Sequence, residues 1–182
     1  MNQPATATPA TLPKLATVWL DGCSGCHMSL LDMDERLLTL LEQADLVYSP
    51  LVDQKHFPED VDVTLVEGAV SSEADLAKIL MVRARTKILV SLGDCAVTAN
   101  VPSLRNPIGV KAILDRVADG GAPRQPDTVP ILCPQARPVH NFVKVDLFVP
   151  GCPPSADTIY TVITELLAGR QPDLHALTRF GL

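Results

Sequence analysis

The chain has 182 residues, of which 47% are hydrophobic and 20% are charged, and its formal net charge is -6. This length suits one well-buried domain, and this composition is that of a folded globular protein, which excludes a disordered chain. The net charge is negative and the basic residues are scattered, so the sequence predicts no basic surface that could bind nucleic acid or a membrane.

The first fourteen residues are rich in Pro, Ala and Thr, and we expect them to form a flexible tail. They contain no apolar core and no twin-arginine pair, so they do not resemble a secretory signal. No stretch of the chain approaches the roughly eighteen consecutive apolar residues of a membrane span. We therefore expect a cytoplasmic protein, in which thiols stay reduced; the odd number of cysteines, 5, also argues against a disulfide framework.

Short apolar segments and amphipathic segments alternate in the first part of the chain. Residues 16–20, ATVWL, predict a buried strand, and residues 46–48 predict another. Between them, Ser29 followed by Asp32 resembles a capping box, so a helix is expected to begin there. The apolar side of this helix would consist of four leucines, Leu30, Leu37, Leu38 and Leu41.

The same alternation continues after residue 60. Residues 61–66 predict a strand that is followed by Glu67 and Gly68, and Ser72 with Asp75 marks the start of a helix. Residues 87–92, KILVSL, predict a further strand, which runs directly into Gly-Asp-Cys.

The remainder of the chain contains one poorly patterned segment and one clear strand and helix. Residues 100–138 are rich in Pro and Gly and predict only a helix at 110–117. Alternation over 144–149 predicts a strand with one wetter face, and Ser155 can cap a helix that Gly169 ends. The alternating pattern predicts a single α/β domain at 15–170, with a mostly parallel sheet and helices on both faces, followed by a tail at 171–182.

Four of the five cysteines follow predicted strands. Cys23 and Cys26 follow one strand, Cys95 follows a second and Cys152 follows a third, each in a loop that contains glycine. Loops at the carboxyl ends of parallel strands lie together and form the ligand-binding edge of such sheets. The pattern therefore predicts a four-thiolate site at this edge and leaves Cys133 unassigned.

The C-x-x-C spacing of Cys23 and Cys26 is compatible with several chemistries. With His27 it spells a c-type haem attachment signal, but no export signal accompanies it, so His27 is interpreted as an ordinary loop residue. A thioredoxin-like redox pair at a helix N-terminus would leave Cys95 and Cys152 unexplained.

Four thiolates fit either zinc or an iron-sulfur cluster. Structural zinc sites usually take their ligands from two local C-x-x-C pairs, whereas two of these cysteines stand alone in distant loops. The spacing favours the cluster and leaves a zinc-stabilised interaction module as the alternative.

Four motifs together resemble a known protein family. DGCSGCHMSLLD, LVEGAVSSEADL, ILVSLGDCAVTANVPSLRNP and VDLFVPGCPPSADTIYTVITELL are similar to the small subunit of nickel-iron hydrogenases. The likeness is greatest to the short version found in cytoplasmic, bidirectional, NAD-reducing enzymes, and it extends over about residues 17–169.

This resemblance implies a flavodoxin-like domain that holds one proximal [4Fe-4S] cluster through Cys23, Cys26, Cys95 and Cys152. Such a subunit passes electrons between the nickel-iron centre of a separate large subunit and a diaphorase module that carries flavin and further clusters. The chain itself would bind no nickel, and we expect no flavin because the cysteine loop occupies the position of the flavodoxin phosphate loop. The resemblance thus implies a subunit of a reversible, NAD-linked hydrogenase.

VPGCPP also resembles the quinone-side cluster subunit of respiratory complex I, which is the alternative within the same group of folds. That relative has a tandem Cys-Cys pattern near its first strand. The C-x-x-C arrangement of Cys23 and Cys26 favours the hydrogenase.

Glu67 follows a predicted strand at the same edge of the sheet as the cysteines. We predict that it lines a subunit interface or a proton route; the alternative is a solvated loop carboxylate. His27 and Met28 are expected beside the cluster, either under a partner chain or in plain packing.

Overall fold

The computed structural model describes residues 12–117 and 130–178. Within these residues the strands are β1 (Lys14–Trp19), β2 (Asp45–Tyr48), β3 (Val61–Glu67), β4 (Val70–Ser72), β5 (Thr86–Leu92), β6 (Leu132–Arg137) and β7 (Leu147–Val149). The helices are α1 (Gly25–Leu31), α2 (Arg36–Leu41), α3 (Glu73–Ala84), α4 (Gly93–Thr98), α5 (Val110–Val117), α6 (Ala156–Leu167) and α7 (Leu174–Leu177).

The main sheet has five parallel strands in the order β2-β1-β3-β5-β7. Counted along the chain within this sheet, that is the order 2-1-3-4-5 of flavodoxin-like folds. The predicted α/β, flavodoxin-like architecture is therefore confirmed.

Apolar side chains from alternate strand positions form two cores, one on each face of the sheet. One core joins Val63 and Leu65 of β3 to Leu30 of α1 and Ile159 of α6. The other joins strand residues to Ile79 of α3 and Ala96 of α4. Helices thus cover both faces, as the pattern predicted, and the strands between them carry near-continuous apolar sequence because both of their faces are buried.

The carboxyl ends of four neighbouring strands meet at one edge of the sheet. The loops after β1, β5 and β7 carry the cysteines, and β3, which lies between β1 and β5, ends in Glu67. The strand order reverses between β1 and β3, and such a switch point opens a crevice outside the strand ends.

The helix expected to begin at Ser29 begins earlier, which corrects the capping prediction. Ser24 adopts a left-handed conformation with φ 66°, so the loop turns directly into α1 at Gly25 and Ser29 lies within the helix. A turn at residues 32–35 then separates α1 from α2. Because of this break the leucine stripe is not continuous: Leu30 is buried, whereas Leu38 is 67% exposed.

The other predicted elements lie close to their observed positions. Ser72 caps α3, where its hydroxyl accepts from the Asp75 N–H and the Asp75 carboxylate accepts from the Ser72 N–H. The helix predicted at 110–117 is α5, and Ser155 caps α6. The strand predicted over 144–149 is shorter and contains only residues 147–149.

A two-stranded antiparallel ribbon of β4 and β6 was not predicted. It contains Cys133, and the guanidinium of Arg105 donates to the carbonyls of Ser71 and Cys133, at 2.9 Å each, to join the two strands. Non-local pairing of this kind has no signal in a local pattern.

The predicted tails lie largely at the limits of the described residues. β1 begins at Lys14, and the rest of the predicted N-terminal tail up to residue 11 lies outside the described residues. In the predicted tail at 171–182, the structure places α7, whose Leu177 carbonyl accepts from the Thr158 hydroxyl at 2.9 Å. None of the helices in the described part of the chain is both long and apolar enough to cross a membrane.

Candidate functional site

The structure brings the four strand-end cysteines together around one small cavity. Cys23, Cys26, Cys95 and Cys152 all line it, together with Glu67, Gly25 and Gly151. Cys26 and Cys95 are buried, whereas Cys23 and Cys152 are exposed. The convergence that the sequence predicted is therefore present, while the ligand role of these sulfurs stays a prediction.

The loop after β1 places two sulfurs by turning tightly into α1. The Gly25 N–H donates to the Cys23 sulfur at 3.3 Å, and Cys26 lies in the first turn of the helix. The Cys26 thiol donates in turn to the carbonyl of Leu92 at the end of β5, with the sulfur and oxygen 3.7 Å apart. The first loop is thus joined directly to the second.

Strand β5 runs directly into α4, and the first turn of this helix brings Cys95 to the same cavity. Gly93 has a φ of +81°, a backbone conformation that residues with a Cβ atom rarely adopt. A Cβ atom at this position would also collide with the Cys26 sulfur. Glycine is therefore required at this position by backbone conformation and by the close approach of sulfur.

The loop after β7 is held against both of the others. The Asp94 N–H donates to the Gly151 carbonyl at 2.8 Å, and the Gly151 N–H donates to the Asp94 carboxylate at 2.7 Å. The Ser29 hydroxyl of α1 donates to the Pro154 carbonyl at 2.5 Å. These three contacts hold Cys152 in place beside the other cysteines.

Burial strongly affects the two inner thiols. Burial raises the pKa of Cys26, and the Glu67 carboxylate and the other three cysteines of the cavity raise it further. Burial also raises the pKa of Cys95, against a smaller opposing effect from the Val101 N–H. At neutral pH these groups are thiols, and metal binding has to displace their protons.

Glu67 is buried, with only 2% of its surface exposed, so the solvated-carboxylate alternative is wrong. Its carboxylate accepts from the His27 N–H at 3.0 Å and is hydrogen-bonded to the His27 ring Nδ1. The ring Nε2 lies 3.0 Å from the Thr17 hydroxyl, which donates to Ser49 at 2.8 Å. A chain of buried polar groups therefore leads from the cavity past β1 to the end of β2.

His27 and Met28 occupy opposite environments on α1. His27 is buried and belongs to the helix, so its interpretation as a loop residue is wrong. Met28 is 57% exposed. Its thioether stands on the outer surface of the helix that carries Cys26.

The donor set of the cavity consists of four cysteine sulfurs, which suits an iron-sulfur cluster or zinc. In the described ranges, 12–117 and 130–178, no three His, Cys, Asp or Glu side chains are grouped closely enough for a single metal ion. The missing Cβ at Gly93 and the three interlocked loops leave a cradle surrounded by sulfur, and these residues fit a cluster. Cys133 lies in β6 and is not among the residues that line this cavity.

Asp94 and Asn100 contribute to the site but were not predicted as contributors. Asp94 stands in the Gly-Asp-Cys motif, where the strand-end position was a usable signal. The Asn100 side-chain amide donates to the Cys152 sulfur, with nitrogen and sulfur 3.6 Å apart. Fifty-two residues separate these two partners, and no local pattern connects them.

The chain matches a family of redox-complex subunits. The family model described as the 20 Kd subunit of NADH ubiquinone oxidoreductase matches residues 23–166. The NAD-reducing hydrogenase HoxS subunit delta of Cupriavidus necator is 42% identical over 171 residues, which cover 88% of this chain and 81% of that protein. A component of the F420-non-reducing hydrogenase vhu of Methanocaldococcus jannaschii is 36% identical over 88% of this chain, but the match spans only 58% of that protein.

Solved structures agree with these sequence relatives. A chain of an NAD+-reducing [NiFe]-hydrogenase in the H2-reduced state superimposes with a TM-score of 0.88 at 38% identity, covering 93% of this chain and 99% of that one. A recombinant [NiFeSe] hydrogenase chain from Desulfovibrio vulgaris Hildenborough gives a TM-score of 0.56 at 19% identity over 88% of this chain and 61% of that one, which shows the shared fold.

Proposed function

The chain belongs to the family of the 20 Kd subunit of NADH ubiquinone oxidoreductase, and from this premise we propose that it is the electron-transfer small subunit of an NAD-reducing nickel-iron hydrogenase. The whole enzyme would catalyse the reversible reaction of H2 with NAD+ to give NADH and a proton. The 42% identity to a subunit of an NAD-reducing hydrogenase favours this function over that of a quinone-side subunit of complex I.

The observation that carries the proposal is the cavity lined by four cysteines from three strand-end loops. Cys23, Cys26, Cys95 and Cys152 would hold one [4Fe-4S] cluster, which accepts and donates one electron at a time. The protein's own contribution is to fix the sulfurs and to surround them with hydrogen bonds, charge and low-dielectric packing, since these determine the potential.

The proposed partners are a large subunit with the nickel-iron centre and diaphorase subunits with flavin and further clusters. Two of the sulfurs, those of Cys23 and Cys152, lie at the protein surface, and Met28 is exposed on the neighbouring helix. A partner chain that covered this surface would shield the cluster from water. We propose a cytoplasmic complex and no flavin in this chain.

Anaerobic purification with metal and sulfide analysis tests the proposal. We expect a nickel-bearing chain to purify with this one. The iron and acid-labile sulfide of the complex should include about four of each for this chain, as in a [4Fe-4S] cluster, in addition to those of the partner subunits. Zinc without sulfide would support the zinc-stabilised interaction module instead. A cluster without a nickel-bearing partner would favour the complex I-like subunit.

Replacing Cys152 by Ser tests the ligand assignment. We expect cluster assembly to be impaired and electron flow from H2 to NAD+ to stop, because a sulfur of the cavity is removed. The large subunit would keep its metal centre, measured as nickel content.

Cys133→Ser is the matched control, because Cys133 lies in β6 and does not line the cavity. We expect it to retain iron, sulfide and NAD+ reduction. If the effects of the two substitutions were exchanged, the ligand assignment would be wrong.

We further propose that Glu67 lies on a proton route beside the cluster. Its burial and its hydrogen-bonded connection through His27 and Thr17 to Ser49 support a route over direct contact with a partner surface. We expect Glu67→Gln to slow H2-dependent NAD+ reduction while iron content and association with the large subunit stay unchanged.

Glu59→Gln provides the control for this substitution, because the Glu59 carboxylate is paired with Arg85 on the surface. Its turnover should match that of the unaltered complex. Unchanged turnover and unchanged assembly in Glu67→Gln would remove the proposed route.

A further inference from the structure

The sulfur of Cys152 receives its hydrogen bond from a side chain. The Asn100 amide nitrogen lies 3.6 Å from this sulfur. By contrast, the Cys23 sulfur receives its hydrogen bond from the backbone N–H of Gly25.

The sequence around Cys152 explains why a side chain supplies this donor. Pro153 and Pro154 follow the cysteine directly, and proline has no backbone N–H. The N–H of Gly151, on the other side, is already bonded to the Asp94 carboxylate. The neighbouring backbone in this loop therefore has few donors to offer the sulfur.

Asn100 is held in position by its own backbone. Helix α4, which contains Cys95, ends at Thr98, and the next residue, Ala99, has a left-handed conformation with φ 64°. Ser103 then donates its hydroxyl to the Asn100 carbonyl at 2.7 Å and its N–H to the Ala99 carbonyl at 2.9 Å. The side chain is thus presented to Cys152 from a fixed turn and not from a loose loop.

We infer that Asn100 is a positioning residue that raises the reduction potential of the cluster through its hydrogen bond to the Cys152 sulfur. This inference rests on the proposed function. A reduced cluster carries one more negative charge, and an N–H donor at a ligating sulfur stabilises that charge. The step is the gain of one electron, and the amide proton stays on its nitrogen.

The test is a redox titration of the purified complex with dithionite as reductant, followed by the EPR signal of the reduced cluster. In the Asn100→Leu variant, the leucine side chain is similar in size to asparagine and has no hydrogen-bond donor. We expect this variant to keep its iron and sulfide, and the midpoint potential of its cluster to be lower. We expect the equilibrium constant for one-electron reduction to fall about tenfold, which corresponds to a fall of about 59 mV in the midpoint potential.

Asn100→Asp supplies the second measurement, because it keeps the shape of the side chain, removes the donor and adds a negative charge. Its midpoint potential should fall further than that of Asn100→Leu, and the added fall should shrink with rising salt concentration. Asn141→Leu makes the same chemical change at an exposed position in a turn after β6 and should leave the potential unchanged.

An unchanged or raised midpoint in Asn100→Leu at full cluster content would overturn the inference. Should that variant assemble no cluster, an unchanged or raised midpoint in Asn100→Asp would overturn it equally. Absence of iron and sulfide from the unaltered complex would instead refute the proposed function, so the two failures are distinguishable.

Discussion

At Gly93, backbone conformation and the close approach of the Cys26 sulfur both require glycine. Its positive φ would strain any other residue, and its missing side chain leaves room for the Cys26 sulfur. Glycine in a strand-end loop is usually explained by the first property alone. Here the second property makes the position specific to a sulfur-lined cavity.

Gly93→Ala is therefore expected to reduce cluster content sharply, because the new methyl group displaces the Cys26 sulfur. The measurement is iron and acid-labile sulfide per chain. Gly109→Ala is the matched control: Gly109 has a similar φ of +84°, but a Cβ there meets nothing within 4 Å. The Gly109→Ala variant should have the same backbone strain as Gly93→Ala, about 1 kcal/mol, but it should retain the cluster. Equal cluster loss in both variants would show that strain alone decides the outcome.

At the level of elements, the site is formed by three loops that are joined to one another. Asp94 at the start of α4 joins the loop after β5 to the loop after β7, and Ser29 of α1 joins the loop after β1 to that same loop. The loop after β7 is central to this arrangement because both contacts end on it. Strand β7 itself has only three residues and lies at an edge of the sheet, so these contacts have to position Cys152.

Asp94→Ala should loosen the loop after β7 by leaving the buried Gly151 N–H without its acceptor, at a cost of about 1–3 kcal/mol. We expect a lower melting temperature and faster loss of the cluster to an iron chelator. Asp94→Asn keeps an oxygen acceptor at the same place and should resemble the unaltered protein in both measurements. If Asn were as damaging as Ala, the carboxylate charge and not the hydrogen bond would be the essential feature.

At the level of the whole molecule, the layers are also joined at the end of the sheet opposite the cysteines. The Asp146 carboxylate, just before β7, accepts from the Leu89 N–H of β5 at 2.9 Å and from Arg83 of α3 at 2.6 Å. Burial alone would raise the pKa of Asp146, but these hydrogen bonds and the Arg83 charge hold it below its usual value. One carboxylate thus connects two strands and a helix.

The pH dependence of unfolding tests this connection. Because the pKa of Asp146 is lowered in the folded state, its contribution is fully present above the ordinary pKa of about 3.9 and is lost as the pH falls through the lowered value. Asp146→Asn should destabilise the protein by about 1 kcal/mol near pH 7, and the difference should shrink below about pH 4.

Urea unfolding at a series of pH values provides this measurement. Glu165→Gln, which removes a surface pair with Arg170, should leave the unfolding free energy nearly unchanged. A difference between Asp146→Asn and the unaltered protein that persisted undiminished at low pH would contradict the assignment.

The sequence predicted those features that depend on local pattern and on parallel topology. Buried strands, the capped starts of α3 and α6, and the meeting of four cysteines all follow from periodicity and from the geometry of strand ends. The start of α1 was misplaced because the left-handed turn at Ser24, a residue type with no special preference for it, has no sequence signal.

The missed contributors depend on contacts between distant segments. The burial of Glu67 follows from the central place of β3 in the strand order, and the bond from Asn100 follows from the turn after α4. The β4 and β6 ribbon likewise pairs strands that are some sixty residues apart along the chain. Contacts of this kind can be identified only from the folded structure, because no local sequence pattern predicts them.

The contrast between buried and exposed sulfurs gives the cavity an inner wall and an open mouth. Cys26 and Cys95 form the wall, packed within the protein, while Cys23 and Cys152 stand at the mouth. Oxidants would therefore reach the outer pair first, since the oxidation of cysteine follows its exposure. A neighbouring subunit that covered this mouth, as the proposed function implies, would shield the outer pair from oxidants.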